Sequence, residues 1–540
     1  MVSAEASSET VVANGEVAAE AARRRTLAII SHPAAGQSTL TEALALHAHA
    51  IREAGHVHGK AGRAGVVSDW QDMEKQRGIS ISSAVLQLHH DGRVLNVLDT
   101  PGHADFSEDT YRVLAAVDVA VMLVDAANGM ERQTRKLFEV CQQRRIPVIT
   151  VINKWDRPGL DALGLLDEIA EVTKLRPTPL NWPVGIAGDF RGLLERASGD
   201  YLRFTRTPGG ASLAEEQRLT PAEAESREGS AWDQALEESD LLSATGGDLD
   251  EASFLRHEST PVLFTAAVAN VGVGQLLQAL GDLAPAPSPP TDTAGRERPV
   301  DAPFSAQVFK VQAGMNPAHR DRLAFARVRT GVFERGMTVT NARTGRPLVL
   351  KHVQTVFGAD RQTLDTAWPG DVIGMVNAAH VNVGDTLFTG PSVTFPPIPS
   401  FTPEHFSVAA PTDLGHAQQF RSGLAALDAE GVVQVLYSER RGHGEPVLAV
   451  VGPLQYEVAA HRMANEFRAP VRIDPLPYSE VRRVHARDIA TVQADRGSEV
   501  VLRSDGQALA LFTDRWRLAG FERSHPDVEL LPVMAATEPA

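Results

Sequence analysis

The sequence predicts an α/β chain in which a doubly wound, mostly parallel sheet is followed by a small β-barrel and a split-βαβ α+β domain. Apolar runs over residues 118–125 and 147–153 each follow a helical pattern, which is typical of parallel strands covered by helices on both faces. Short strands separated by Gly and Asp turns over residues 304–393 indicate the barrel. After residue 404 the order strand, helix, strand, strand, helix, strand indicates the split-βαβ sandwich.

The first domain begins with a short buried strand, TLAII, over residues 26–30, and a helical stretch follows Gly36. Two β-rich runs, AVLQLHH and RVLNVLD, flank an Asp-Gly pair, which is a hairpin signal. Residues 198–258 are acidic, rich in Ser and Gly and weakly periodic, so we interpret them as an insertion. The run PVLFTAAV over residues 261–268 then predicts a strand, and VGQLLQALGDL predicts the last helix of this domain.

Two helices of the last domain are predicted from apolar side chains that recur at the helical period. We expect these side chains to form core contacts rather than a cofactor site. The two sets are Phe420, Leu424 and Leu427, and Tyr456, Ala460, Met463 and Phe467. The residues after Pro475 predict only mixed α/β structure.

These patterns, together with Pro-rich stretches that mark linkers, divide the chain into segments. The predicted segments are a disordered tail (1–22), a doubly wound α/β domain (23–283, with the insertion 198–258), a linker (284–303), the barrel (304–393), a second linker (394–403) and the α+β domain (404–540).

Composition narrows the class of protein. The chain has 540 residues and a formal net charge of −16, from 52 basic and 68 acidic residues. A free-standing nucleic-acid-binding protein is more often basic, so wholesale duplex binding is disfavoured, whereas local contact with RNA in a large assembly is not. The start of the sequence has no basic segment followed by an apolar one, which disfavours a secretory signal, and no apolar run is long enough to span a bilayer. The single cysteine, Cys141, fits a reducing cytoplasm.

The stretch SHPAAGQST, residues 31–39, has the form of a phosphate-binding loop without its lysine. The usual pattern is G-x-x-x-x-G-K-[ST], in which backbone N–H groups cradle phosphates and the hydroxyl binds Mg²⁺. Here Ser31 replaces the first Gly, Gln37 replaces the Lys, and Ser38 supplies the hydroxyl. Taken alone, the stretch is also compatible with an ordinary turn between a strand and a helix.

Further motifs follow at the ends of predicted strands. Asp99, in DTPGH, can hold Mg²⁺ through water, and Gly102 can direct its N–H to a terminal phosphate. In NKWD, Asp156 can accept two hydrogen bonds from guanine, whereas a carboxylate cannot pair in this way with the edge of adenine. Backbone amides of residues 265–267 can contact the guanine oxygen. Because open α/β sheets bind ligands at the carboxyl ends of their strands, these motifs in this order predict a guanine-nucleotide site.

The loop, together with MEKQRGIS, LDTPGHADFSEDTYR and NKWDR, resembles the translational GTPases, and the bacterial peptide chain release factor 3 family in particular. The resemblance also includes MNPAHRDRLAFARVRTG and PGDVIGMVN in the barrel, GVVQVLYS and VGPLQYEVAAHRM in the third domain, and RSHPDVEL near the end. It implies a P-loop GTPase domain, cofactors GTP or GDP and Mg²⁺, and ribosome-dependent GTP hydrolysis that promotes departure of class I release factors after peptide release. The implied partners are the ribosome, with its RNA and proteins, and class I release factors, without membrane or DNA.

Carried over to matching positions, the resemblance implies that Ser38, Ser80 and Asp99 are Mg²⁺ ligands and that His103 is the catalytic residue that orients the attacking water. The expected nucleotide-binding residues are Ser31, His32, Pro33, Ala34, Ala35, Gly36, Gln37, Ser38, Thr39, Asp99, Thr100, Pro101, Gly102, His103, Asn153, Lys154, Asp156, Thr265, Ala266 and Ala267.

Two positions depart from the family pattern: Ala34 stands where Asp is usual, and Gln37 stands where Lys is usual. A neutral amide supplies a weaker hydrogen bond to phosphate than an ammonium does, and phosphoryl transfer depends on electrostatic stabilisation. An alternative function is therefore a non-hydrolysing guanine-nucleotide-binding regulator on the ribosome. A translocase similar to elongation factor G is disfavoured, because the residues after Pro475 are too few to form its further domains.

Overall fold

A computed structural model gives the arrangement of most of the chain. The described residues are 14–51, 83–103, 105, 107–205, 213, 215–313, 322–357, 360–376, 378, 380–398, 402–442 and 444–533. Among these residues no helix is both long enough and apolar enough to cross a membrane.

The end of the predicted disordered tail is a helix, α1 (Asn14–Ala22), which corrects the expectation for residues 14–22. Its Val17 and Ala21 are buried, and Glu20 forms ion pairs with Arg23 and Arg24 at 2.7 Å and 2.6 Å. The acidic, small-residue composition of the stretch concealed these contacts, because both the apolar surface and the ionic partners belong to the folded domain that follows.

The first domain contains two sheets. Its strands are β1 (Arg24–Ser31), β2 (Ala84–His90), β3 (Arg93–Asp99), β4 (Val119–Asp125), β5 (Val148–Asn153), β6 (Arg176–Pro179), β7 (Asn181–Ile186), β8 (Asp189–Glu195), β9 (Tyr201–Phe204), β10 (Glu216–Leu219) and β11 (Ser259–Phe264). Its further helices are α2 (Gln37–His47), α3 (Ser107–Leu114), α4 (Arg132–Gln143), α5 (Ala162–Thr173), α6 (Pro221–Glu228), α7 (Ser230–Ala244), α8 (Glu251–Leu255) and α9 (Val273–Leu283).

The larger sheet has the strand order β2-β3-β1-β4-β5-β11-β6 and is parallel except for the β2–β3 pair. Strands β1, β4, β5 and β11 are buried along their whole length, as near-continuous apolar runs predict. One core joins this sheet to α2 and α9, and another joins it to α3, α4 and α5. The predicted doubly wound sheet is confirmed. It brings the carboxyl ends of β1, β3, β4, β5 and β11 to one edge.

The smaller sheet is antiparallel, with the order β10-β9-β8-β7. Its strands β7 and β8 precede residue 198, where the predicted insertion begins, and β9 and β10 follow it. Helix α7 packs on the sheet through Trp232, whose ring meets Tyr201 edge to face. Residues 198–258, the predicted insertion, therefore form part of a small sheet whose first strand, β7, begins before them.

The second domain is the predicted β-barrel. Its strands are β12 (Ser305–Ala313), β13 (Arg322–Thr330), β14 (Phe333–Glu334), β15 (Thr338–Asn341), β16 (Pro347–Val349), β17 (Val353–Phe357), β18 (Asp360–Thr363), β19 (Thr366–Ala367), β20 (Val372–Val376) and β21 (Thr386–Phe388). Eight of them form an antiparallel sheet in the order β16-β15-β21-β12-β13-β20-β17-β18, which encloses its own apolar core. The predicted linkers on either side of the barrel, 284–303 and 394–403, run together where the Thr293 N–H donates to Thr394 O over 2.9 Å.

The third domain is one sheet of eight strands. Its strands are β22 (His405–Pro411), β23 (Gln434–Tyr437), β24 (Val447–Val450), β25 (Val471–Pro475), β26 (Glu480–Val484), β27 (Ser498–Arg503), β28 (Ala508–Phe512) and β29 (Leu530–Leu531), and its helices are α10 (Ala417–Glu430), α11 (Leu454–Asn465), α12 (Ile489–Ala494) and α13 (Arg515–Ser524).

The first half of this domain, from β22 to β25, has the chain order β-α-β-β-α-β and the sheet order β25-β22-β24-β23, which confirms the split-βαβ prediction. The second half, from β26 to β29, repeats the same chain order, with the sheet order β27-β28-β26-β29. The two halves join through antiparallel pairing of β23 with β27. The repeat was missed because its first helix has six residues and its last strand has only two.

Buried charged side chains attach the barrel to the first domain. Arg24 in β1 forms an ion pair with Asp371 over 2.7 Å, with both side chains less than a tenth exposed. The other oxygen of Asp371 accepts a hydrogen bond from Gln87 over 3.1 Å. A second pair joins Arg327 of β13 to Asp118 over 2.5 Å. These contacts fix the barrel against the edge of the first domain because a buried charge without its partner is costly.

We expect the substitution Asp371→Ala to lower the free energy of unfolding by about 3 kcal/mol, the lower end of the range for breaking a buried pair, because Glu20 still neutralises Arg24. The matched control is Asp365→Ala, since Asp365 pairs with Arg335 on the surface and should contribute no more than about 1 kcal/mol. Urea unfolding followed by tryptophan fluorescence measures both. Equal midpoints for the two variants would contradict the proposed importance of the buried pair.

Candidate nucleotide-binding site

The predicted phosphate loop connects β1 to α2, with Gln37 as the first residue of the helix. Gly36 caps this helix in a left-handed conformation (φ 98°), and Ala34 is also left-handed (φ 64°). A Cβ at Gly36 would lie 2.7 Å from Asn153 Nδ2, so only glycine fits there. Because the first N–H groups of α2 have no intrahelical partners, the loop presents donors and a positive dipole end to an anion.

The side chain of Gln37 is buried and bonded within the protein. Its Nε2 donates to Ile29 O over 2.5 Å and to Thr100 Oγ1 over 3.3 Å, and its Oε1 accepts from Ser31 Oγ over 2.7 Å. Thr100 Oγ1 also donates to Ile29 O over 2.7 Å. The amide therefore joins the start of the loop to the end of β3. A lysine could not accept the Ser31 bond, so this network is specific to an amide at position 37.

The DTPGH segment lies against the phosphate loop. Asp99 and Thr100 are buried at the end of β3. A Cβ at Gly102 would lie 3.1 Å from His32 O, which shows how closely the two backbones approach. The His103 side chain is about one third exposed, and its Nδ1 lies 3.3 Å from Asp105 Oδ1. The hydrogen bond with Asp105 raises the pKa of His103, although partial burial opposes this effect.

Asn153, at the end of β5, holds three loops together. Its Nδ2 donates to Ala35 O over 3.0 Å, and its Oδ1 accepts from Thr265 Oγ1 over 3.1 Å and from the Ala267 N–H over 3.0 Å. Next to it, Lys154 Nζ donates to Ala34 O over 2.5 Å. The phosphate loop, NKWD and residues 265–267 are thus brought together as the sequence order predicts.

Asp156 has the feature expected of a guanine-binding carboxylate. Its Oδ1 is buried, and within the described part of the chain this oxygen has no hydrogen-bond partner. A buried acceptor that lacks a donor is costly unless a ligand supplies one. The N–H groups on the edge of guanine are such donors. The site therefore fits a guanine nucleotide on geometry as well as on residue type.

Two of the three predicted Mg²⁺ ligands lie among the described residues. Ser38, in the first turn of α2, and Asp99 supply a hydroxyl and a carboxylate, while Ser80 lies outside the described residues. Among the described residues no group of three or more His, Cys, Asp and Glu side chains could hold a metal ion. Mg²⁺ in nucleotide sites commonly takes one or two protein oxygens together with phosphates and water, and Ser38 and Asp99 fit that pattern.

Sequence reasoning missed two residues that shape the site. Asp125, at the end of β4, forms an ion pair with Lys154 over 2.7 Å. Although burial by itself raises the pKa of this carboxyl, hydrogen bonds from Lys154 and the Ala127 N–H hold the pKa of Asp125 below its ordinary value. Glu131 lies 3.2 Å from His32 Nε2. Asp125 carries the signal used for Asp99, a polar residue at a strand end, whereas nothing in the sequence around Glu131 identified it.

The ring of His32, one of the expected nucleotide-binding residues, is buried against protein groups. Nδ1 lies 3.2 Å from Thr134 Oγ1 on α4. Burial lowers the pKa of His32, although Glu131 and Asp125 act in the opposite direction. Burial therefore disfavours the charged form of the imidazole, so His32 is a poor replacement for the missing lysine charge.

Three family descriptions match successive parts of the chain. They are Elongation factor Tu GTP binding domain over residues 22–286, Elongation factor G domain 2 over residues 303–390, and Class II release factor RF3, C-terminal domain, over residues 395–522. The chain is 43% identical to peptide chain release factor 3 of Synechococcus elongatus, over 96% of this chain and 94% of that protein. It is also 43% identical to peptide chain release factor 3 of Symbiobacterium thermophilum, over 93% of this chain and 96% of that protein.

The chain belongs to the peptide chain release factor 3 family. The resemblance seen in the sequence is thereby confirmed, and the first domain is a GTP-binding domain of the elongation factor Tu type. A solved structure from Thermus thermophilus superposes with a TM-score of 0.68 at 23% identity, over 89% of this chain and 73% of that chain. This superposition supports the fold.

We expect Gly36→Ala to weaken the nucleotide site of this family member. The left-handed backbone costs about 1–2 kcal/mol for a residue with a Cβ, and loss of the Asn153–Ala35 hydrogen bond adds about 1 kcal/mol. Titration with a fluorescent GDP analogue and urea unfolding measure the two effects. The control is Gly92→Ala, because Gly92 is also left-handed (φ 74°) but its Cβ would meet nothing within 4 Å. The same GDP affinity in both variants would contradict the role of Gly36.

Proposed function

We propose that this protein is a ribosome-dependent GTP-binding translation termination factor that promotes dissociation of class I release factors from the ribosome after peptide release. One observation carries the proposal. Protein groups suited to bind guanine and phosphate converge at one sheet edge, in a chain that matches release factor 3 over nearly its full length. The family also supports action on the ribosome in the cytoplasm.

Each group of the site has a distinct task in this proposal. Asp156 accepts hydrogen bonds from the N–H groups of guanine, and Asn153 holds the loops around the base together. The N–H groups at the start of α2 hold the phosphates, while Ser38 and Asp99 hold Mg²⁺. Bound GTP with Mg²⁺ supplies the phosphoanhydride bond whose hydrolysis ends the active state. His103 orients water for that hydrolysis.

Gln37 changes the energetics of this site. A hydrogen bond to a charged group contributes about 1.5–3 kcal/mol, against about 1 kcal/mol for a neutral one. In addition, the amide of Gln37 is already engaged with Ile29 and Ser31. We therefore infer that nucleotide binding depends on the helix N-terminus and the guanine contacts, and that hydrolysis is slower than with lysine at this position.

We expect Gln37→Lys to raise ribosome-stimulated GTP turnover by roughly 10²–10³, the usual effect of one electrostatic contact to the transition state. Phosphate release with and without ribosomes measures this rate. Gln143→Lys is the matched control, because Gln143 is exposed on α4 and the change adds the same charge. If the wild type already turned over at the rate of Gln37→Lys, the inference about Gln37 would be wrong. If neither protein bound guanine nucleotide, the proposed site would be wrong.

The guanine contact is tested by Asp156→Asn. Replacing the carboxylate removes a charged acceptor, so GDP affinity should fall about 10- to 100-fold, as the loss of a charge-assisted hydrogen bond implies. Xanthosine diphosphate carries a carbonyl in place of the amino group, so it should bind the variant better than the wild type. Calorimetry with both nucleotides gives the two affinities. Asp167→Asn, at an exposed position of α5, should leave both unchanged, and unchanged GDP binding by Asp156→Asn would refute the assignment.

A further inference from the structure

A single carboxylate connects the DTPGH segment to the third domain. His103 Nδ1 lies 3.3 Å from Asp105 Oδ1 and 3.3 Å from the Asp105 backbone nitrogen, so the carboxylate accepts from Nδ1 when this nitrogen is protonated and the backbone N–H donates to it when it is not. The other carboxylate oxygen, Oδ2, accepts a hydrogen bond from the Leu454 N–H over 2.7 Å. Leu454 is the first residue of α11, so the carboxylate lies at the positive end of a helix that belongs to the third domain. The Asp105 side chain is 13% exposed.

The third domain leaves little room at this contact. A Cβ at Gly452, two residues before α11, would overlap the carboxyl carbon of Asp105. The backbone of Gly452 does not have a positive φ, so backbone conformation does not require glycine there. Glycine is needed because the Asp105 carboxylate approaches this position closely.

A second contact lies nearby and joins α3 to the same domain. Arg112 Nη1 donates to Glu430 O, at the end of α10, over 3.0 Å. Arg112 also forms an ion pair with Glu108 over 2.5 Å. The segment that follows Asp99 is therefore held by the third domain at two helix ends, the start of α11 and the end of α10.

The interactions around His103 and Asp105 favour the charged form of both side chains. The hydrogen bond with Asp105 raises the pKa of His103. Burial acts to raise the pKa of Asp105, but bonds from His103 and the Leu454 N–H, with the nearby charge of His405 on β22, lower it. Within the described part of the chain, the charges that shift these two pKa values come from the pair itself and from His405 on β22. The carboxylate is thus kept as an acceptor that holds one nitrogen of the His103 ring.

We propose that Asp105 is a positioning residue that couples His103 to the third domain. By accepting a hydrogen bond from protonated Nδ1, the carboxylate favours the tautomer in which Nε2 serves the attacking water, against the competing backbone N–H of the same residue. Because α11 holds Asp105, the placement of the third domain sets the placement of His103. This inference rests on the proposed function of His103 in hydrolysis, but the coupling itself is a property of the protein without nucleotide.

The coupling is tested without turnover by nuclear magnetic resonance of the full chain with isotope-labelled histidines, in which His103→Gln assigns the resonance. We expect the pKa of His103 to lie above its ordinary value in the wild type and to fall in Asp105→Asn. Gly452→Ala should also lower it, because the added methyl group overlaps the Asp105 carboxyl group and so displaces the carboxylate from His103 as well as from α11. Gly444→Ala is the control, since its Cβ would meet nothing within 4 Å in the same domain. An unchanged His103 pKa in Gly452→Ala would overturn the coupling.

Hydrolysis supplies the second measurement. With ribosomes, kcat of Asp105→Asn and of Gly452→Ala should fall about 10- to 100-fold while KM for GTP stays constant, which is within the contribution of a positioned base. In Asp105→Asn the acidic limb of the pH–rate profile should also move to lower pH. A rise in KM with constant kcat would show a structural role only. If the wild type and Gln37→Lys both lack turnover while the His103 pKa responds as expected, the proposed hydrolysis fails and the coupling stands.

Discussion

The side chain of Asn153 is the contact on which the proposed nucleotide site depends. Its amide makes three hydrogen bonds, to Ala35, Thr265 and Ala267, and so ties together loops that are far apart in the sequence. All are buried, where an unmet polar group is expensive, so the loops cannot separate independently. This constraint also explains why position 36 must be glycine, because a methyl group there would occupy the place of the Asn153 amide. The loops that we propose to bind the phosphates and the base are therefore one structural unit.

Much of this arrangement could be predicted from the sequence. Apolar runs such as those of β4 and β5 identify buried parallel strands, and topology then requires that the polar residues after them meet at one edge. The geometric relation between Asp99, Asn153 and Asp156 follows from this rule. The split-βαβ unit followed in the same way from helical spacing in α10 and α11. Ser80 lies outside the described residues, so its expected role as a Mg²⁺ ligand remains a prediction.

What could not be predicted depends on long-range partners. Helix α1 is short and acidic, and its stability comes from Val17, Ala21 and the ion pairs of Glu20. The second β-α-β-β-α-β unit contains a six-residue helix and a two-residue strand, too short for periodicity to reveal. For Gln37 the substitution was evident in the sequence, but its bonds to Ile29 and Ser31 were not, because an amide can both donate and accept and its partners depend on the folded structure. The chain is acidic overall, yet its domain contacts use buried arginines, which net charge does not report.

The eight-stranded sheet of the third domain has a mechanical consequence. Its two halves share an apolar core in which Phe406 and Leu436 from the first half pack with Val501 and Leu511 from the second. Close-packed cores transmit displacement rather than absorbing it. A force applied to the second half, from β26 to β29, is therefore passed through this shared core to the first half, which carries the α11 N–H that binds Asp105.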